Sequence, residues 1–267
     1  MTPLTPRYPV DVVSDVHLSR QDPATVQAFL SFLAAEDSPA ATLIILGDLF
    51  DGWMGDDATD ELAETVAQSL RQRHERGTAI YFVPGNRDFL LAHAYCERAG
   101  MTRVDEPIIL RNTNPPTALI HGDRLCTDDD AYQRFRKKTQ DPQWRAKILN
   151  LPIWLRRVLR AWARHRSQRY GAHQTKKRPQ IMDVNQQSVD RYCEALGVTR
   201  LIHGHTHRLG THRPKDGAAL ERWVLGDWHT AQGSYLRLTP DACQLFSVAH
   251  SPGFPLSQRA IEQPPGH

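Results

Sequence analysis

Thr42-Leu43-Ile44-Ile45-Leu46-Gly47-Asp48-Leu49-Phe50-Asp51 is the stretch that decides the fold. Its opening aliphatic run has no polar alternation, which suits a strand buried on both faces, the central parallel strand of a layered α/β protein. Gly47 then permits a sharp exit from the strand, and Asp48 stands directly at its carboxyl end.

Similar short runs, each bounded by Gly, Pro, Asp or Asn, occur at Tyr8 to Val13, Ala79 to Val83, Thr117 to Ile120 and Arg200 to Ile202. Between the early ones, Val26, Phe29, Leu30 and Leu33 predict a helix over Ala24 to Ala35, and Leu62, Val66 and Leu70 predict another over Asp60 to Arg73. Strand and helix therefore alternate, as in α/β folds. Three later runs, Arg222 to Leu225, Ser234 to Leu238 and Gln244 to Val248, have no helix between them and predict an antiparallel portion. Leu125 to Gln180 breaks the strand rhythm with helical spacing. The expected organisation is a core of residues 1–124 and 181–250, an inserted helical cap of residues 125–180 over the site, and a loose tail, rich in Pro and Gly, of residues 251–267.

With 267 residues, 40% hydrophobic and 24% charged, the chain can bury a core as one large domain or two small ones, and disorder is excluded as the default. Leu43 to Leu46, the longest apolar run, is far short of the roughly 20 residues of a membrane-spanning helix. Met1 to Pro9 shows no basic, apolar and small-residue order, so a cytoplasmic location is expected. Cys96, Cys126, Cys193 and Cys243 are too scattered for a zinc or redox motif and are expected to be reduced thiols. A net charge of +3 does not argue for a nucleic-acid partner, and none is expected.

The strand ends carry the chemistry, because ligands in α/β folds gather beyond the carboxyl ends of strands. Asp15-Val16-His17 follows the first strand, Gly47-Asp48 the second, Gly85-Asn86-Arg87-Asp88 the third, His121-Gly122-Asp123 the fourth, and His203-Gly204-His205-Thr206-His207 the fifth. On an extended segment, Asp15 and His17 would point the same way, as would His205 and His207. Carboxylate mixed with imidazole suits Mn, Fe, Zn or Co better than Mg or Ca. A carboxylate such as Asp48 can bridge two ions in the arrangement used for displacement at phosphorus. One such pair alone is ordinarily a turn or helix cap; five of them at consecutive strand ends are poorly explained that way. Asp51, Asp88 and Asp123 are expected to orient ligands rather than to bind metal.

This ordered set, Asp15-x-His17, Gly47-Asp48, Gly85-Asn86, His121 and Gly204-His205-Thr206-His207, resembles the calcineurin-like metallophosphoesterases. Gly47-Asp48-Leu49-Phe50-Asp51-x-Trp53, Gly85-Asn86-Arg87-Asp88-Phe89-Leu90-Leu91, the run from Leu119 to Asp129, and Ile181-Met182-Asp183-Val184-Asn185-Gln186 narrow the likeness to the branch that cleaves the pyrophosphate of a UDP-diacylglucosamine in lipid A assembly. The resemblance implies a layered αββα sandwich, two mixed β-sheets flanked by helices. It implies two Mn²⁺ ions, one held by Asp15, His17, Asp48 and His207, the other by Asp48, Asn86, His121 and His205. It implies catalytic roles for Asn86, Arg87, His121 and His205, and substrate contacts by Asn86, Arg87, Asp129, Ser167, Gln174, Lys177 and His205. Between Ser167 and Lys177 the chain is longer than the family pattern, Gln174 stands where the pattern has Asn, and Lys176 is an alternative to Lys177. The implied products are UMP and a diacylated sugar 1-phosphate. The implied setting is a monomer, peripheral on the cytoplasmic face of the inner membrane, meeting an acylated UDP-sugar and an anionic lipid surface.

Two features bear on the reaction independently of the family. Arg87 cannot donate a proton at neutral pH but can clamp phosphate oxygens, which matches a phosphate leaving group better than an alkoxide. Between Arg134 and Arg178 there are fifteen Lys or Arg and one acidic residue, Asp141. Within that run Leu151, Trp154, Leu155, Val158, Leu159 and Trp162 form a helical stripe with Arg156, Arg157, Arg160 and Arg164 largely off it. Such a helix either meets acyl chains and anionic headgroups or packs its stripe on the core. The rival functions are a nuclease or soluble nucleotide pyrophosphatase on the same core, with the basic cap gripping nucleic acid, and a non-catalytic scaffold, which would have lost ligands.

Overall fold

The computed structural model describes residues 2–35, 40–163, 183–212, 220–250 and 256–261. The aliphatic run Thr42–Leu46 forms strand β3 and is buried along its whole length. Leu43 and Ile45 face one apolar cluster, which they share with α1 (Pro23–Ala34), α2 (Glu61–Glu75) and α3 (His93–Ala99). Ile44 and Leu46 face another, shared with strands of a second sheet. Continuous hydrophobicity, where an exposed strand would alternate, is thus the signature of a strand with a layer on either side.

The first sheet runs β13-β12-β11-β2-β3-β4-β5, with β2 (Val10–Val13), β3, β4 (Ala79–Val83) and β5 (Met101–Arg103) parallel and β11 (Gln232–Leu238), β12 (Cys243–Ala249) and β13 (Ser257–Ala260) antiparallel. The second runs β1-β6-β7-β8-β10-β9, from β1 (Thr2–Pro3), β6 (Ile108–Leu110), β7 (Thr117–Ile120), β8 (Arg200–His203), β9 (Gly210–His212) and β10 (Glu221–Val224). Val10, Val12, Ile44, Leu46 and Val83 of the first sheet meet Ile108, Leu110, Leu119, Ile202 and Trp223 of the second. Val189 and Cys193 of α7 (Gln186–Leu196) cover the outer face of the second sheet with Ala118, Ile120 and Leu201. The result is the expected αββα sandwich of two mixed sheets flanked by helices.

Local chemistry sets the helix ends. Asp22, Asp60 and Asn185 each accept a backbone N–H of the first turn of α1, α2 and α7, and Pro23 occupies the first position of α1, where its missing N–H costs nothing. Gly197 ends α7 in the left-handed conformation that glycine adopts without strain.

Two expectations are corrected. Of the three late runs expected to form one antiparallel unit, β10 instead joins the second sheet, parallel to β8 and antiparallel to β9. The stretch read as a loose tail from residue 251 includes β13, which pairs with the edge of β12 through Ser257 to Ala260. Its Ser-Gln-Arg-Ala sequence is exposed at every position, so no apolar alternation could announce it.

Within residues 125–180, three helices are described: α4 (Asp130–Gln140), α5 (Pro142–Leu149) and α6, residues 153–163. Ile148 and Leu149 of α5 pack against the first core cluster, and Trp144 lies 6.0 Å from Phe89. The stripe on α6 does not pack on the core: Trp154, Val158 and Trp162 are 66%, 57% and 60% exposed. Among the described residues, no helix is long and apolar enough to cross a membrane.

Candidate metal centre

The parallel strands β2, β3 and β4 of one sheet and β7 and β8 of the other deliver their carboxyl ends to a common place. There, every candidate ligand sits one to four residues beyond a strand. The ladder continues into the loops: Asp15 N–H donates to Gly47 O at 3.2 Å, His17 N–H to Asp48 O at 2.9 Å, and Gly204 N–H to His121 O at 2.9 Å. The first two bonds join the loops of the first sheet and the third joins those of the second, while His205 N–H to Asp15 Oδ2 and His121 Nδ1 to Leu46 O, both at 2.8 Å, link one sheet's loops to the other's.

The side chains do converge, but not by the period-two geometry of an extended segment. Asp15 (φ 53), His17 (φ 51), Asp48 (φ 54), His205 (φ 65) and His207 (φ 57) all hold left-handed backbone. Non-glycine residues seldom do so, and they concentrate where function requires it. The left-handed turns aim Asp15 and His17, and likewise His205 and His207, into the same space. Glycines keep that space open: a Cβ on Gly204 would fall 2.0 Å from Ser14 Oγ and 2.1 Å from Asp15 Oδ2.

Two groups of ligand atoms stand out among the described residues: Asp15 with His17 and His207, and Asp15 with Asp48 and His121. In the first, His207 Nε2 lies 3.3 Å from Asp15 Oδ1 and 3.4 Å from His17 Nε2. Beside the second, Asn86 Oδ1 lies 2.9 Å from both His121 Nε2 and His205 Nδ1. Asp48 stands between them, its Oδ1 3.9 Å from His121 Nε2 and its Oδ2 4.0 Å from His17 Nδ1. The structure therefore brings Asp15, His17, Asp48, Asn86, His121, His205 and His207 together.

Outer partners fix these groups. Asp88, fully buried, accepts the backbone N–H of Gly85 (2.8 Å), Leu49 (2.7 Å) and Asp48 (3.3 Å), locking the β3 and β4 loops to each other. Asp48 Oδ1 takes the N–H of Arg87 at 2.8 Å, and Asp15 Oδ2 that of His205 at 2.8 Å. His121 donates from Nδ1 to Leu46 O at 2.8 Å, which turns Nε2 toward the site. Glu106 accepts His121 N–H at 2.9 Å and pairs with Arg136 of α4 at 2.9 Å.

The electrostatics call for cations. Burial, together with the negative charges of Asp88 and Asp15, pushes the Asp48 carboxyl up to about 8 despite the pull of His121. Burial opposes charge on His121 and His207 too, yet Asp48 and Asp15 raise His121 to about 9, and hydrogen bonds to Asp15 and Asp227 raise His207 to about 10. His17 and His205, where burial prevails, fall to about 4 and so present neutral imidazoles. Two desolvated carboxylates that draw protons onto neighbouring imidazoles are groups that divalent ions would satisfy better. The buried Nδ1 of His17 finds no hydrogen-bond partner among the described residues. On that atom, the mixed donor set and the paired carboxylates, the residues fit a site for divalent metal.

Among the candidate substrate residues, Arg87 reaches outward and is exposed, with Nη1 3.3 Å from Asp51 Oδ1. Asp129 caps α4, accepting Tyr132 N–H at 2.9 Å. Ser167, Gln174 and Lys177, with the alternative Lys176, lie outside the described residues. Sequence reasoning missed Tyr132, whose ring lies 5.5 Å from that of His205 and whose hydroxyl donates to Asp123 at 2.9 Å. It also missed Asp227, 3.5 Å from His207 Nδ1. Asp227 belongs to a loop between β10 and β11, and only the tertiary fold places it here; the Asp129 cap before α4 was the available signal for Tyr132.

Residues 8–209 match the model of the calcineurin-like phosphoesterases. A UDP-2,3-diacylglucosamine hydrolase of Edwardsiella ictaluri is 42% identical over 242 residues, covering 90% of this chain and 92% of its own. One of Cellvibrio japonicus is 43% identical over 218 residues, covering 81% and 90%. Among solved structures, Vacuolar Protein Sorting 29 from Cryptosporidium parvum aligns over 96% of this chain and 98% of its own, at 13% identity and a TM-score of 0.45.

Proposed function

The chain belongs to the calcineurin-like phosphoesterases and is a hydrolase, and from that premise we propose that it cleaves the pyrophosphate bond of UDP-2,3-diacylglucosamine, giving UMP and 2,3-diacylglucosamine 1-phosphate. The observation that carries the reading is the convergence of seven ligand side chains from five strand ends around Asp48, in a chain about 40% identical over most of its length to hydrolases named for this substrate.

Asp15, His17, Asp48 and His207 would hold one ion, and Asp48, Asn86, His121 and His205 the other, with Mn²⁺ the preferred metal. Bound there, the ions would neutralise charge on the phosphate under attack and make water a stronger nucleophile. The protein's own groups do the rest. Asp88 and Glu106 hold the loops that present Asp48 and His121. Arg87 binds oxygens of the pyrophosphate, and its fixed charge stabilises a leaving phosphate without proton transfer. Tyr132 and Asp129, at the start of α4, line the approach from the cap. The exposed Trp154, Val158 and Trp162 beside cap arginines support peripheral contact with the anionic cytoplasmic face of the inner membrane, where an acylated substrate resides.

The test is incubation of the purified protein with Mn²⁺ and UDP-2,3-diacylglucosamine in ¹⁸O-water. UMP carrying the label is expected, from attack on the nucleotide-side phosphorus. Release of UDP, or label in the lipid product, overturns the reading; turnover of nucleic acid that collapses with salt would point to a nuclease instead.

A further inference from the structure

Helix α6 inverts the usual order of burial. Its tryptophans are exposed, and among its described residues the one buried side chain is Arg156, at 4% exposure. Burying a guanidinium costs heavily unless its donors are satisfied in good geometry. Here they are. Nε donates to Leu151 O at 2.9 Å, at the entrance to α6. Nη1 donates to Met54 O and to Asp57 Oδ1, the latter at 2.8 Å, and Nη2 donates to Asp57 Oδ2. The two-pronged contact with Asp57 is the strong, direction-specific form of the pair.

The core loop is shaped to receive it. Gly55 has φ 121, and a Cβ there would fall 2.4 Å from Arg156 Nη1. One turn further along α6, Arg160 lies over Gly52, where a Cβ would fall 2.2 Å from Arg160 Nε. Arg160 reaches Asp51 at 3.6 Å, and Asp51 is the carboxylate that also lies 3.3 Å from Arg87. Two arginines spaced i, i+4 thus sit over two glycines, and the second of them shares a carboxylate with the arginine beside the metal loops.

We propose that Arg156 is a positioning residue: it fixes α6 to the loop of residues 54–57 and so holds Arg160 against Asp51, the group that sets where Arg87 stands. No described residue of this helix joins an apolar cluster of the core, and Trp154, Val158 and Trp162 are mostly exposed; the guanidinium seats it. The consequence for reaction is carried by the substrate reading above. A loosened α6 leaves the metal ligands in place but lets the cap and Arg87 drift, so substrate is held less well once bound groups must be gripped by both.

The experiment compares wild type, Arg156→Met, Arg156→Lys and Asp57→Asn in two readouts. Amide hydrogen exchange of residues 153–163 is expected to quicken at least tenfold in Arg156→Met and Asp57→Asn, with Arg156→Lys between, while amides of residues 42–46 are unchanged. With UDP-2,3-diacylglucosamine and Mn²⁺, KM is expected to rise at least fivefold with kcat within threefold, in the same rank order. Unchanged exchange in α6, or an unchanged KM in an enzyme that turns over, overturns the proposal. If the wild type does not act on this substrate, the functional reading fails while the exchange result still decides the seating. Asp57 is largely exposed, so Asp57→Asn removes the charge and one of the two acceptor oxygens even if Arg156→Met does not fold.

Discussion

Asp227 stands directly behind His207: its carboxylate is 3.5 Å from Nδ1 of the ring whose Nε2 faces Asp15 at 3.3 Å. The loop bearing Asp227 is itself tied to the site, because the next residue, Trp228, donates its backbone N–H to Asp15 O at 3.1 Å. A carboxylate on the far nitrogen of an imidazole fixes its tautomer and orientation for metal binding.

Asp227→Ala is therefore expected to weaken metal binding about 10- to 100-fold, the usual cost of losing such an outer partner. Titration calorimetry of Mn²⁺ into metal-free protein checks it. Equal affinity in the variant and the wild type would leave Asp227 as a surface group only.

Asp48→Ala and His205→Ala are expected to abolish hydrolysis while leaving the circular dichroism spectrum intact, because neither residue belongs to an apolar cluster that holds the sheets together. The loss in kcat/KM should exceed that of Asp227→Ala, since a direct ligand is removed. Near-normal turnover in either purified variant contradicts the assignment.

Exhaustive chelation is expected to remove activity, with Mn²⁺ restoring it best among Mn²⁺, Mg²⁺ and Ca²⁺, the imidazole-containing donor set disfavouring the last two. Turnover that survives chelation, checked by elemental analysis of the protein, rules out a metal requirement.

His203 gives a pH signature separate from the ligands. Burial, then the charge of Arg222, lowers it to about 3, while its Nδ1–H donates to Gly204 O at 2.8 Å and its Nε2 accepts from Arg222 Nη1 at 3.3 Å. The unfolded chain would take up this proton near pH 6.5. Between about 6.5 and 3 the unfolded state holds the extra proton, so stability falls as pH falls through that window. His203→Gln keeps a donor and an acceptor but does not titrate. Its Tm should fall less steeply than the wild type's from pH 6.5 to 5; parallel curves would remove His203 from the account.

The exposed stripe on α6 predicts that Trp154→Ser with Trp162→Ser reduces co-sedimentation with vesicles containing anionic phospholipid several-fold, without change in metal binding. Unaltered sedimentation means that the membrane contact, if made, lies elsewhere.

The buried parallel strands and the candidate ligands at their ends were legible in the sequence for one reason: such a strand has continuous apolar text, and its carboxyl end is where Asp48, Asn86 and His121 then had to be sought. The route by which Asp15 and His17 converge was not legible, because left-handed backbone at an aspartate or histidine leaves no mark in composition. Nor was Arg156, whose burial depends on Asp57 and Gly55, about a hundred residues away in the chain. β13 was hidden because an edge strand with every side chain in water owes its form to backbone pairing alone.

The five left-handed candidate ligand positions bear on protein design. Grafting the same aspartates and histidines onto the strand ends of another α/β scaffold would reproduce the letters and miss the aim of each side chain, since relaxed loops would point them apart. What must be transplanted is the set of turns, with their glycine neighbours and the Asp88 clasp, and the donors follow from it.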